Sequence, residues 1–179
     1  MERTLVEKAI AGERAAFDAI VRSRIDAVYR TSLAILGDPT DAADATQETF
    51  LAAWSSRSRL RDRDAFDAWL GRININACRM QLRRRKGRKV REIELETTEA
   101  GEPESTDRAL DERTASEDAF DRAFARLSVD DRAALVLHHL QERSVADIAA
   151  ALGAPEGTIK SRLHRARAAL ETAMAKESR

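Results

Sequence analysis

The sequence predicts an all-α protein in which two small helical domains are joined by a flexible acidic linker. Helix-forming residues dominate, since 33 of the 179 residues are Ala and 26 are Arg, whereas 7 are Gly and 3 are Pro. Apolar residues recur at intervals of three and four positions, which is the period of an amphipathic helix. So few turn-forming residues argue against a β-sandwich or a barrel, which need many tight turns.

The linker is predicted from the distribution of charge. The 31 basic and 31 acidic side chains cancel overall, yet residues 79–91 carry 8 basic and no acidic side chains, and residues 92–119 carry 2 basic and 11 acidic ones. The acidic stretch has few large apolar residues, so it buries too little surface to offset the entropy lost on ordering. We place the linker at residues 92–114; an exposed polar helix within one continuous domain is the alternative.

The cysteine content and the apolar runs of the sequence exclude several classes of protein. The single cysteine, Cys78, excludes an internal disulfide and a CxxC site, and its apolar surroundings in the sequence predict a reduced, buried thiol. The chain has no apolar run of about 18 residues, and its N-terminus lacks the apolar region of a signal peptide. These features predict a cytoplasmic protein without membrane insertion.

Two helices are predicted in the first part of the chain. The first has apolar positions from Phe17 to Ile35 and is stopped by the sequence at 37–39, Gly-Asp-Pro; the second begins near Thr40 or Asp41. The predicted inward positions of the second helix are Ala43, Thr46, Phe50, Ala53 and Trp54. Its outward positions form what we call the docking stripe: Asp44, Gln47, Glu48 and Leu51. Such a stripe is either a solvated face or a surface that binds a partner helix.

A third helix leads into the basic run. The charged residues 57–64 form a predicted loop, after which apolar positions continue from Phe66 to Leu82. The opposite face carries Arg72, Asn76, Arg79 and Arg83. Because the like charges of residues 83–89 repel one another, a polyanion such as the DNA backbone is their natural partner. Asn74 and Asn76 precede this run, and Asn side chains can bond to a base edge.

The last part of the chain predicts a helix-turn-helix. Ser116, Ser128 and Ser144 are predicted helix caps, and Asp131 and Asp147 complete capping boxes. A short helix, Val145–Leu152, is followed by a turn at Gly153 and a basic helix opened by Pro155. The outward side chains of this basic helix form what we call the recognition face: Lys160, Ser161, His164, Arg165 and Arg167. In this arrangement the second helix enters the major groove of DNA.

Three segments together resemble ECF-type (extracytoplasmic function) sigma factors of the sigma-70 family. Asp38–Trp54 looks like their core-polymerase-binding segment, and Phe66–Asn76 with the basic run that follows resembles their −10 element helix. Ser144–Leu170 looks like their −35 helix-turn-helix. The sequence departs from the family at residues 62–64, Asp-Arg-Asp, and at Gly71, where a bulky residue is common.

The resemblance implies a promoter-specificity subunit of bacterial RNA polymerase, with a region 2 domain at residues 1–91 and a region 4 domain at residues 115–179. It implies that the docking stripe binds core RNA polymerase and that the recognition face binds duplex DNA at the −35 element. The side chains implied at the single-stranded −10 element are Arg61, Asp62, Arg63, Asp64, Arg72, Asn76, Arg79, Arg83 and Arg84. An anti-sigma factor is a further partner common in the family. No enzymatic activity, catalytic residue, cofactor or metal is implied.

Three other functions are compatible with parts of the sequence. A helix-turn-helix regulator would bind duplex DNA without polymerase, and would leave the docking stripe and the basic run unexplained. A metal-dependent nuclease would use Asp41, Asp44 and Glu48, but no second helix offers a matching set of carboxylates. A purely structural interaction protein would not need the aligned arginines.

Overall fold

The computed structural model describes the backbone of residues 3–96 and 115–177, and the side chains of residues 3–87 and 119–175. These residues form α-helices and one short 3-10 helix, without a strand, which confirms the all-α prediction. The N-terminal unit comprises α1 (Arg3–Ile10), α2 (Arg14–Leu36), α3 (Pro39–Ser56), the 3-10 helix Arg57–Arg59 and α4 (Phe66–Glu96). The C-terminal unit comprises α5 (Ala115–Arg126), α6 (Val129–His139), α7 (Val145–Leu152) and α8 (Glu156–Glu177).

The turn between α2 and α3 lies at the predicted Gly-Asp-Pro segment, residues 37–39. Gly37 adopts a left-handed conformation with φ 70° and donates its N–H to the carbonyl of Leu33, as a C-terminal cap does. The Asp38 side chain then accepts the N–H of Asp41, and Pro39 opens α3 one residue before the predicted start.

The core of the N-terminal unit is apolar and joins all four of its helices. Buried members include Val6, Phe17, Ile20, Phe50, Phe66 and Leu70. One predicted inward position of α3 is wrong: Ala43 is exposed, and Ala42 and Ala45 are buried instead. Outside α3, the large apolar residues that remain partly in solvent include Ile25, Phe120 and Leu140.

A small polar cluster lies within this apolar packing. The buried Asn74 accepts the hydroxyl of Ser32 at 2.7 Å and donates to the carbonyl of Val28 at 3.4 Å. Its hydrogen bonds are thus directed into the protein, so Asn74 has a structural role in this packing. Cys78 lies one turn further along α4, fully buried, and burial raises the pKa of its thiol to about 11. This confirms the predicted burial of the cysteine.

Two of the three caps predicted for the C-terminal unit lie directly before a helix; the third, Ser116, is wrong, because α5 begins at Ala115 and Ser116 lies inside its first turn. Ser144 and Asp147 form a complete capping box at α7, and Ser128 accepts the N–H of Asp131 at α6. Gly153 ends α7 with φ 64°, and α8 starts directly after Pro155. The helices α7 and α8 therefore have the connection expected of a helix-turn-helix.

The two units pack against one another through one continuous apolar cluster. Ile35 of α2 and Ile75 of α4 belong to the same cluster as Val136 and Leu137 of α6 and Ile148 of α7. The helix α4 also continues to Glu96, so it extends five residues past the expected end of the first domain at residue 91. Residues 97–114 of the predicted linker lie outside the described residues.

Candidate polymerase and DNA interfaces

The docking stripe lies along the exposed side of α3. Asp44 and Gln47 are exposed, and Leu51 has 61% of its surface in solvent. Glu48 is half-buried because it forms an ion pair with Arg84 of α4. The stripe therefore combines one exposed apolar side chain with polar neighbours, and one of its members contacts a residue expected at the −10 element.

The loop before α4 is held by the N-terminal helix. Arg63 forms an ion pair with Glu7 at 3.3 Å, and Asp64 approaches Arg3 at 3.7 Å. Asp62 accepts the backbone N–H of Asp64 at 3.0 Å, which shapes the turn. Residues 61–64 are exposed, so their side chains remain accessible to a ligand.

The side chains expected at the −10 element on α4 divide into two groups. Arg83 and Arg84 form the first group. Their side chains are exposed on the N-terminal unit, close to residue 87, the last residue of α4 whose side chain is described. Arg72 and Arg79 instead contact the C-terminal unit. The guanidinium of Arg72 donates to the carbonyl of Ala150 in α7 at 2.6 and 3.2 Å, and that of Arg79 donates to Asp130 of α6 at 2.8 Å. Asn76 is exposed and accepts from Arg79 at 2.6 Å.

The recognition face of α8 is free of the N-terminal unit. All five of its side chains are exposed, whereas Ile159, Leu163 and Ala166 of the same helix are buried. Arg167 is held by His139 of α6, whose Nε2 accepts from the guanidinium at 3.2 Å. Burial and the adjacent charge of Arg167 lower the pKa of His139, which keeps the ring neutral and able to accept.

Two charged residues at the junction of the units were not among the predicted site residues. Asp130 lies in the first turn of α6, and Arg162 lies on the flank of α8, where it approaches Asp130 at 3.1 Å. No local motif marks either residue, since their partners are distant in sequence.

The departure at Gly71 leaves open space. A Cβ added to Gly71 would meet no atom within 4 Å. Gly71 lines a cleft of about 480 Å³ between the units, together with Val136 and Leu140 of the C-terminal unit. The position at which the family commonly has a bulky residue thus borders a cleft.

Family models match both units of the chain. "Sigma-70 region 2" matches residues 20–88, and "Sigma-70, region 4" matches residues 117–170. The ECF RNA polymerase sigma factor SigM of Mycobacterium tuberculosis is 38% identical over 161 residues, which cover 90% of this chain and 78% of that protein. The RNA polymerase sigma-H factor of Pseudomonas aeruginosa is 31% identical over 182 residues, covering 97% of this chain and 93% of that protein.

The chain belongs to the ECF-type sigma factors of the sigma-70 family. As a sigma factor it binds core RNA polymerase and directs promoter-specific initiation of transcription. The docking stripe and the α4 arginines fall within the region 2 match, and the recognition face falls within the region 4 match.

Solved structures of sigma factors share the fold. CnrH in complex with the cytosolic domain of CnrY has a TM-score of 0.68 and 26% identity, covering 97% of both chains. The sigma factor RpoE in complex with the anti-sigma factor NepR from Bartonella quintana has a TM-score of 0.64 and 26% identity, covering 89% of this chain and 96% of that one.

Two absences bear on the other functions considered. None of the described helices has the length and apolar character of a membrane span. Within residues 3–96 and 115–177, no three His, Cys, Asp or Glu side chains are grouped as metal ligands. The carboxylates considered for a nuclease thus have no metal-binding arrangement in that part of the chain.

Proposed function

We propose that the two units of the sigma factor bind different partners. Residues 1–91 bind core polymerase and open the −10 element, residues 115–179 bind the −35 element, and residues 92–114 connect them. The observation that carries this proposal is the placement of exposed side chains on three different helices: the docking stripe on α3, the arginines of α4 and the recognition face on α8.

The docking stripe binds a helical surface of core polymerase. Leu51 supplies an exposed apolar anchor, and Asp44, Gln47 and Glu48 surround it with polar groups. An apolar anchor ringed by polar side chains is the usual composition of an effective protein interface. Since Glu48 also pairs with Arg84, polymerase binding at this residue affects an arginine that we assign to DNA.

The exposed loop and the α4 arginines act on the opened −10 strand. Taking a base out of its stack costs a few kcal/mol, which hydrogen bonds to the flipped base must offset. We assign this role to residues 61–64 with Asn76, because these side chains are exposed and polar. Arg72, Arg79, Arg83 and Arg84 hold the backbone of the separated strand.

The recognition face reads the −35 duplex. Ser161, His164 and Arg165 lie in its middle and contact base edges or groove shape, whereas Lys160 and Arg167 lie on its flanks and hold phosphates. The protein has no catalytic chemistry of its own in this account, and it acts in the cytoplasm, where polymerase and promoter DNA are found.

An anti-sigma factor is a proposed further partner. CnrH and RpoE, which share this fold, are described in complex with the cytosolic domain of CnrY and with the anti-sigma factor NepR. Co-purification from the source organism, followed by a run-off transcription assay, would test whether such a partner blocks the sigma factor.

The function is tested by run-off transcription with core polymerase on a promoter library, combined with a docking variant. Asp44→Lys with Leu51→Ala removes two members of the stripe without touching the Glu48–Arg84 pair. We expect core affinity to fall at least about tenfold, equivalent to about 1.4 kcal/mol. Asp26→Lys, a charge reversal at an exposed position of α2, is the matched control.

Two outcomes would contradict the proposal. Unchanged core affinity of the docking variant would mean that the stripe is a solvated face. Specific binding to duplex promoter DNA, with no transcription when core polymerase is added, would favour the helix-turn-helix regulator instead.

A further inference from the structure

Met80 of α4 is a large apolar side chain that the structure leaves in solvent, with 44% of its surface exposed. Its neighbours Ala77, Cys78 and Gln81 are buried, so the helix directs these side chains inward and Met80 outward. Residues 79–91, which include Met80, carry 8 basic and no acidic side chains. An apolar group is thus displayed within a strongly basic stretch, and packing inside the protein does not account for it.

Met80 lies in the middle of a row of exposed side chains along α4. Arg72 and Asn76 precede it at intervals of four positions. Arg83 and Arg84 follow it three and four positions later. Side chains at these intervals are neighbours on one face of a helix, with roughly 5–6 Å between their Cβ atoms. The row therefore places one apolar group among the polar groups that we assign to the −10 strand.

The amide of Asn76, one turn before Met80, is held in a defined orientation. Its Oδ1 accepts from Nη1 of Arg79 at 2.6 Å. Because the oxygen is engaged in this way, the NH2 group of the amide remains to donate, and such a group bonds to the acceptors on a base edge. A donor for a base edge and an apolar surface for a base face thus lie one helical turn apart.

We propose that Met80 is a platform on which one base of the separated −10 strand stacks, while Asn76 bonds to the edge of that base. The inference rests on the proposed function and deepens it, because it uses the assignment of the α4 side chains to the −10 strand. It adds to that surface a residue that contacts a base face, whereas the arginines of the row hold phosphates.

The chemistry of a single strand favours DNA as the occupant of this surface. A base without its neighbours exposes an apolar π face, and proteins that bind single strands combine basic grooves with side chains that cover such faces. The thioether of methionine is polarisable and makes favourable contacts with aromatic rings, and methionine is one of the side chains that enter between base steps. The basic charge around Met80 attracts a polyanion.

The platform distinguishes the opened strand from the duplex. In a duplex each base face is covered by the neighbouring base pairs, so Met80 gains its contact only after the strand has opened. A group that binds only the opened state shifts the population toward that state. Met80 therefore contributes to opening of the −10 element as well as to binding of the strand.

The test compares Met80→Ala, Met80→Leu and Ile25→Ala in holoenzymes assembled from the full-length sigma factor and core polymerase. Met80→Ala removes the platform, whereas Met80→Leu keeps an apolar side chain of similar size. Ile25→Ala is the matched control, because Ile25 on α2 has 41% of its surface exposed, close to the value for Met80. Both positions are at the surface, so the substitutions create no cavity in the core, and circular dichroism checks the helical content.

The probe is a fluorescent single-stranded oligonucleotide carrying the −10 element of a promoter that is transcribed in the run-off assay. A second set of probes has one base at a time replaced by an abasic site. We expect Met80→Ala to weaken binding of the intact strand at least about threefold, as loss of a sulfur–aromatic contact does, and Met80→Leu to stay within about twofold of the wild type. Affinities for core polymerase and for a −35 duplex should not change, and Ile25→Ala should behave as the wild type.

The abasic probes identify the base that stacks on Met80. At one position, loss of the base should weaken binding to the wild type and to Met80→Leu but not to Met80→Ala, because the base and the side chain contribute through the same contact. At the other positions, the effect of the abasic site should be the same for all the proteins.

Three outcomes would overturn the platform. Wild-type affinity of Met80→Ala for the −10 strand would show that the side chain contacts no base. A loss without coupling to any abasic position would show that Met80 acts indirectly, through the shape of α4. Weaker binding of core polymerase, with unchanged −10 binding by the assembled holoenzyme, would assign Met80 to the polymerase interface. The proposed function is decided by the wild-type arm alone, since it fails if the wild-type holoenzyme neither transcribes from the promoter nor binds the −10 strand.

Discussion

Arg165 lies at the middle of the recognition face and Lys160 on its flank, and both side chains are exposed. We expect Arg165→Ala to change which −35 sequences are transcribed, because loss of a bidentate base contact costs about 1–3 kcal/mol at one position. Lys160→Ala should lower binding to all sequences about equally and reduce the salt slope by roughly one. Transcription of a −35 library at two salt concentrations measures both effects.

The control for this pair is Arg126→Ala, which removes an exposed arginine from α5, outside the helix-turn-helix. An Arg165→Ala protein that keeps its sequence preference and loses activity uniformly would refute the base-reading role. His139 matters for interpretation, because it holds Arg167 and thereby orders one flank of the same face.

The sequence predicts correctly for some residues, but not for others, whether the side chain is buried or exposed. Asn74 and Asn76 are two positions apart on a helix, so their side chains point to different sides. Periodicity predicts Asn76 on the outward face, where it lies, whereas Asn74 is buried against Ser32. Ala43 shows the opposite error, since alanine gives a weak signal and the buried positions are its neighbours Ala42 and Ala45.

At the scale of elements, capping patterns were the most informative local signal. Ser144 and Asp147 predict the start of α7, and the structure contains the complete capping box. The helix α1 was not predicted, although Val6 and Ala9 are buried on one side of it. A helix of eight residues has too few turns for a convincing period, and it forms here because that side packs on the core of the N-terminal unit.

The capping box at α7 has a measurable consequence. Ser144→Ala should destabilise the protein by about 0.5–2 kcal/mol, because the N–H of Asp147 loses its acceptor. Hydrogen bonding from Ser144 lowers the pKa of Asp147, so this pKa should rise toward its ordinary value in the variant. The stability that comes from the lowered pKa of Asp147 is present above the ordinary pKa of an aspartate. It is lost as the pH falls through the lowered pKa of Asp147 in the folded protein.

Urea unfolding gives the stability change, and an NMR pH titration gives the pKa of Asp147. Ser55→Ala is a suitable control, since this serine lies in the last turn of α3 and its hydroxyl bonds to carbonyls of its own helix. Equal destabilisation by the two variants, with an unchanged Asp147 pKa, would show that the box contributes nothing specific.

At the scale of the whole molecule, the order of the motifs predicted the family and the two helical units, but not the way in which the units pack. Arg79 and Asp130 are 51 positions apart, and Arg132 and Ile35 are 97 apart. Pairs so far apart produce no periodic pattern in the sequence. From the sequence alone, Asp130 cannot be distinguished from any other aspartate in the first turn of a helix. The packing of the two units is therefore a property of the fold that sequence patterns do not contain.

The predicted linker leads to an experiment on the whole chain. Endoproteinase Glu-C should cut the free protein first within residues 97–114, a stretch rich in glutamate and poor in large apolar residues. It should cut more slowly after Glu48, which lies within α3 and pairs with Arg84. The two fragments should remain helical by circular dichroism, since the N-terminal unit has an apolar core of its own.

The fragments also report on the junction between the units. We expect them to elute together from gel filtration at low salt, because the ion pair of Asp130 with Arg79 and the shared apolar contacts hold them together. High salt should favour separate elution, since screening weakens partly exposed ion pairs. Initial cleavage within a described helix would argue against a linker at 97–114, and separate elution at every salt concentration would mean that the chain connection, rather than the junction, keeps the units together.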